Sequence, residues 1–222
     1  MKTIILSIVC FVSIANTGIL KAQSAYDTKM LEAQQKLNSS KTEADYNATA
    51  DLFSEIASAQ KTKWLPFYYA GLCKALAAIK LKTKSADALC NQADVFIHKC
   101  DSLNKDNAEL YILKSLNFSA RLNVNPVARA MKYNKQIHYA NDMALKLDSS
   151  NPRVYLQKAQ TVYYTPESFG GGAKKALPLY EVALEKFKMY KADNAMMPHW
   201  GKDIAEKMID ECKAKLMHNS KK

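Results

Sequence analysis

The 222 residues are 48% hydrophobic with only six glycines and six prolines, so the chain can bury a sizeable core and has little material for long disordered linkers. The net charge of +11 comes from 32 Lys and Arg against 21 Asp and Glu. Only Arg121, Arg129 and Arg153 are arginines, and the lysines are scattered rather than run together with aromatics. That pattern argues against nucleic-acid recognition and for a solvated surface or attraction to acidic partners.

Residues 1–22 read as a secretory signal peptide. Lys2 opens it, Ile4–Ile14 is apolar, Asn16-Thr17-Gly18 breaks the run, and Leu20-Lys21-Ala22 ends in a small residue suited to cleavage. The run is short of the roughly 20 apolar residues needed to span a bilayer. No later segment is apolar enough to span one, so an exported protein, periplasmic or secreted and not membrane-spanning, is expected. Residues 23–217 then form one helical domain, and 218–222 a polar tail.

In chain order, helices are predicted over Ser24–Asn38, Thr42–Ala59, Trp64–Leu81, Ser85–Leu103, Ala108–Leu122, Val127–Leu147, Pro152–Tyr164 and Ala173–Tyr190. A last helix follows Pro198-His199-Trp200 and runs to about Met217. Phe67, Tyr111 and Tyr155 recur at a spacing of 44, as do Gly71, Ser115 and Ala159 four residues later in each helix. Asn107 and Asn151 keep the same spacing. A large residue followed by a small one makes a notch into which a partner helix fits. The recurrence predicts an all-α fold, an α-α superhelix of antiparallel pairs with about nine helices after the signal.

These bulky-then-small pairs, with Pro152 and Pro198 opening units, resemble the tetratricopeptide (TPR) superfamily over roughly residues 42–200. The period is 44 rather than the family's 34, and no copy holds the full Trp-Leu-Gly-Tyr set. The stretch Thr165-Pro166-Glu167-Ser168-Phe169-Gly170-Gly171-Gly172-Ala173 and the Leu-Lys-Ala-Gln signal end are similar to exported TPR-like proteins of the Bacteroidetes type. The resemblance implies a concave face that binds a protein or peptide partner, without catalysis or cofactor. In the family register that face would include Tyr68, Leu72, Glu109, Ile112, Arg153, Gln160 and Tyr163.

The competing reading is a small-molecule carrier or enzyme using the Gly170–Gly172 loop and a groove between helical pairs. Glycines before a helix can present N–H groups to a phosphate. However, the loop lacks the Walker spacing and its Ser/Thr, and a turn with Phe169 as its plug explains it equally. Cys73 and Cys90 lie nearly equidistant from the turn between their helices, which leaves a disulfide open to them. With Cys100 and Cys212 they read equally well as small buried apolar groups. His98 and Cys100, two apart on a helix, point to different faces and with Cys90 lack zinc spacing, and His138, His199 and His218 are isolated. No catalytic set is identified, and oligomeric state is not encoded.

Overall fold

The computed structural model describes residues 23–81 and 84–219. The expected signal peptide and the end of the polar tail lie outside them. Among the described residues the structure is all-helical, with nine α-helices and no strand. Helix α1 covers residues 23–39. It is followed by α2 (Glu43–Ala59), α3 (Trp64–Leu81), α4 (Ala86–Leu103), α5 (Ala108–Val124), α6 (Pro126–Leu147), α7 (Pro152–Tyr164), α8 (Ala173–Met189) and α9 (Lys202–Asn219). Each packs on its neighbour in sequence from α2 to α6, as do α7 on α8 and α8 on α9, and α3 with α5 and α5 with α7 join successive pairs. This is a helical superhelix. No described helix is long and apolar enough to cross a membrane.

Short polar side chains set where the helices start. Thr42 Oγ1 accepts from Asp45 N at 3.1 Å while Asp45 Oδ2 accepts from Thr42 N at 2.8 Å, a reciprocal box that satisfies two otherwise unpaired donors. The residues spaced by 44 turn out to be caps. Asn107 Oδ1 accepts from Glu109 N at 2.9 Å and Asn151 Oδ1 from Arg153 N at 3.0 Å. Pro126 and Pro152 occupy first-turn positions, where a missing N–H loses nothing.

The three notches face inward. Ser115 and Ala159 are fully buried, and a Cβ on Gly71 would stand 3.2 Å from Leu113 Cδ2 and 3.3 Å from Phe96 Cβ. Glycine there lets α4 and α5 approach α3 closely. The main core joins α1 to α5, a second joins α7 to α9, and Ile112, Ala144 and Val154 form a small group between them.

The last helix follows Pro198-His199-Trp200 as expected, with α9 beginning at Lys202 and Pro198 standing outside it. Residues 190–201 form an irregular strap, ended by Gly201 at φ 114°. That backbone conformation is open to glycine and strained for other residues. A Cβ at Gly201 would also meet Phe187 Cζ at 2.7 Å, so glycine lets the strap turn under α8.

Candidate functional site

The strap runs along the inner face made by α1, α3, α5 and α7. Its Met196 carbonyl accepts from Gln34 Nε2 at 2.6 Å and from Tyr69 Oη at 3.0 Å. Trp200 Nε1 donates to Tyr68 Oη at 3.0 Å, and the Trp200 ring packs against all three core groups. Met196 and Met197 add apolar contacts to the N-terminal core. The groove that the TPR-like reading left open for a peptide is thus filled by the chain's own residues.

The residues expected on an open concave face are mostly buried beneath this strap. Glu109 and Arg153 pair in the interior: Arg153 Nε reaches Glu109 Oε1 at 2.8 Å and Oε2 at 3.1 Å, and Arg153 Nη2 also bonds Oε1. Asn151 Nδ2 adds a bond to Oε1 at 2.6 Å, and Tyr68 Oη donates to Oε2 at 3.2 Å. The Arg153 guanidinium lies over the Tyr190 ring at 4.7 Å and donates to the Tyr190 hydroxyl at 2.9 Å. Burial disfavours the Arg153 charge; the ion pair and hydrogen bonds to Glu109 outweigh it and hold its pKa above the ordinary value. Burial, reinforced by Glu109, pushes the Tyr68 phenol well up, so it stays a donor.

Ile112 is core, and Gln160 sits half-buried on α7. Tyr163 is turned to α9, where it bonds Glu211 and Lys215. These burials correct the expectation of a partner-facing surface at Tyr68, Glu109, Ile112, Arg153 and Tyr163. The physical reason is that each place already has an occupant: the strap at Tyr68, Glu109 and Arg153, the Ala144 and Val154 side chains at Ile112, and α9 at Tyr163.

What the strap leaves uncovered is a cleft of about 160 Å³ between it, α1, α2, α3 and the start of α9. Tyr69, Leu72, Leu76 and Lys80 line it at helical spacing, so one stripe of α3 supplies the floor with a cation at its end. Leu37, Tyr46 and Ile204 add apolar wall, Trp200 closes one side, and His199 and Asp203 stand at the mouth. The Lys80 ammonium lies 5.9 Å from the Tyr46 ring centroid. His199 is exposed, and its Nδ1 is 3.3 Å from the Met197 carbonyl oxygen. A wider hollow of about 290 Å³ between Lys61, Phe67, Lys99 and Leu103 has two lysines but no imidazole or phenol in its lining.

Of the residues expected on the concave face, Leu72 lines the cleft and the others do not. His199, Trp200 and Lys80 were not singled out as a set. The visible hint was the α3 stripe ending in Lys80; nothing local linked it to residues 199–204.

The Gly170–Gly172 loop is a turn. Its three backbone donors are spent on Glu167, Pro166 and Val162 carbonyls at 2.9, 3.1 and 3.0 Å, leaving none for an anion. Gly170 and Gly172 have positive φ, and Phe169 points to solvent rather than plugging the loop. Cys73 and Cys90 stand as separate buried thiols, not a disulfide, as do Cys100 and Cys212. Cys90 Sγ faces the Asn117 carbonyl at 3.9 Å, across to α5. Burial pushes the Cys90 thiol up to about 11 and Cys100 to about 12. Among the described residues no three His, Cys, Asp or Glu side chains gather where they could hold a bare metal ion.

No protein-family profile and no curated protein matches this sequence. A solved structure does: the HusA haemophore from Porphyromonas gingivalis is similar at 34% identity with a TM-score of 0.77, over 86% of this chain and 94% of its own. This likeness overturns the expectation of a scaffold for a protein or peptide partner and favours the carrier alternative, without its glycine loop.

Proposed function

The chain belongs to the family of the HusA haemophore, and from that premise we propose that it is an exported haem carrier and not an enzyme. The observation that carries this reading is the likeness along nearly the whole of both chains. Residues 1–22 are then its export signal and 23–217 its working domain. The 44-residue recurrence supports reading the helical pairs as TPR-like units, here used to build a small-molecule site.

The cleft beside the strap offers the chemistry that haem needs. A porphyrin has flat apolar faces, an apolar edge and an edge bearing two carboxylates. Leu37, Leu72, Leu76 and Ile204 suit the apolar part, Tyr46 and Trp200 offer aromatic surface, and Lys80 offers a cation to a carboxylate. The cleft is smaller than the roughly 300 Å³ at which ligand pockets usually begin. As it stands it can take only an edge of the porphyrin.

Titration of the mature chain with ferric haem, followed by absorbance, tests the function. Saturable binding is expected. Ile204→Glu, which puts a carboxylate on the apolar wall, weakens it, whereas Lys61→Ala with Lys99→Ala at the wider hollow leaves it unchanged. No binding by the wild type removes the proposal. Loss at the wider hollow alone moves the site there.

A further inference from the structure

We infer that one edge of the superhelix, where α5 turns into α6 and α7 into α8, docks on an anionic lipid surface; the inference stands apart from the haem-carrier reading above. Glu109 and Arg153, each at the start of its helix, pair with each other, so α5 and α7 begin side by side. As equivalent members of successive antiparallel pairs they run the same way, which puts the turns after them along one edge.

That edge carries apolar side chains in water. Thr161, near the end of α7, meets α6 at Asn141, and Lys158 meets it at Asp142. The buried residues of α6 begin only at Ile137. The part before Ile137 is about 15 Å of helix beyond the reach of those contacts. On it Val127 and Met131, one turn apart, are each 93% exposed, and Val124 stands half-exposed at the end of α5. At the neighbouring turn Phe169 is 80% exposed and Tyr164 71%. The glycines fix Phe169 there: a Cβ on Gly171 would collide with the Thr165 carbonyl oxygen, and the backbone donors of the turn are all used. Large apolar side chains held out in this way mark a contact surface.

Charge selects what the edge meets. From Leu110 to Asn141 the sequence holds five cations and no carboxylate. Arg121 and Arg129 are spent on Asp94 and Asp87 of α4. Lys132 and Lys135 stand exposed next to Met131 and one turn after it, and among the described residues neither makes an ion pair. Lys174 and Lys175 are exposed after the glycine turn, and Lys175 Nζ is 3.6 Å from where a Cβ on Gly170 would lie. Between Val124 and Lys135 and between Tyr164 and Lys175 the one carboxylate is Glu167. Protein interfaces deplete lysine and use arginine as an anchor; here the arginines are already paired and the free cations are all lysine. Apolar tips on separate turns, flanked by free lysines, suit an anionic bilayer: the tips enter below the headgroups and the lysines stay among them.

The test is co-sedimentation of the haem-free mature chain with vesicles of phosphatidylcholine, with and without phosphatidylglycerol. Circular dichroism checks that each variant folds. Wild type is expected to pellet with the anionic vesicles, to lose that binding as salt rises, and to leave the neutral vesicles alone. Lys132→Ala with Lys135→Ala, and separately Met131→Ser with Phe169→Ser, each weaken it at least about tenfold. Lys61→Ala with Lys99→Ala, which removes the same charge from the opposite edge, leaves it within about twofold. An equal loss in that control reduces the attraction to net charge and overturns the inference. So does binding that the apolar pair leaves unchanged, or equal binding to neutral vesicles. Binding to soluble polyglutamate but not to vesicles overturns it in favour of an acidic protein. No binding to either overturns it as well and leaves the haem titration untouched, just as a failed haem titration leaves this test standing.

Discussion

Glu109 and Arg153 occupy the same place, two residues past an asparagine cap, in helices 44 residues apart, and they pair with each other in the interior. Arg153 is completely buried and Glu109 nearly so. Repeats usually stack through matching apolar residues; here equivalent positions carry opposite charges and tie α5 to α7. The pair also anchors the strap, since Tyr68 links Glu109 to Trp200 and Arg153 holds Tyr190.

Breaking one half of this pair leaves the other charge stranded. Glu109→Ala is expected to destabilise the protein by about 3–5 kcal/mol. Glu109→Leu combined with Arg153→Met should lose less than the sum of its single changes, because neither charge is then orphaned. Urea unfolding of the four proteins checks this; additive losses would mean that the two side chains do not depend on each other.

The strap should loosen when the Met196 carbonyl loses its donors. Gln34→Ala and Tyr69→Phe each remove one bond, at about 1 kcal/mol apiece. Lys191 lies exposed at the strap's start. Trypsin is therefore expected to cut after Lys191 faster in the double variant than in either single one, with global unfolding by urea much less affected. Equal cutting in all would show that the strap is held elsewhere.

Gly201→Ala combines a strained φ with a Cβ pressed against Phe187 and Leu156. A loss of roughly 1–3 kcal/mol is expected. In denaturant titration it should appear as a lower midpoint with an unchanged slope. A neutral result would mean that the strap can turn without a left-handed residue.

Alkaline pH should destabilise the fold. Burial raises the Cys90 and Cys100 thiols from an ordinary value near 9 to about 11 and about 12, and the Tyr26 phenol to about 12. These groups hold their protons longer when folded. Their contribution is complete below the unfolded values, about pH 9 for the thiols, and is lost as pH rises through the folded ones. The thermal midpoint should stay level in this respect up to about pH 9 and then fall toward pH 11. At neutral pH a thiol reagent should find no reactive cysteine in the native protein and all four of residues 73, 90, 100 and 212 after denaturation. Fewer thiols after denaturation would point to a disulfide.

Much of the fold could be read along the chain because its determinants are local. Asn107, Asn151 and Pro152 start helices through bonds to residues two or three positions away, and Gly71, Ser115 and Ala159 mark close packing by size alone. The site could not be read in the same way. Glu109, Arg153 and Tyr68 look like exposed recognition groups to any argument from spacing, since a charged residue in a first helical turn is ordinarily solvated. Only the strap's position makes them interior. Pro198-His199-Trp200 marks the approach to the last helix correctly, but nothing local shows that Gly201 and the buried Phe187 require an irregular turn there.

The sequence by itself determined the helices, their order and their repeating contact, because caps and apolar stripes act over three or four residues. The tertiary structure alone decided what fills the groove and where the cleft lies. The strap's three anchoring bonds join residues 162, 127 and 132 positions apart, and no short-range pattern encodes such a meeting. It arises when the curved stack brings both ends of the chain to one inner face, where burying Met196, Met197 and Trp200 removes more apolar surface from water than leaving them on a free loop.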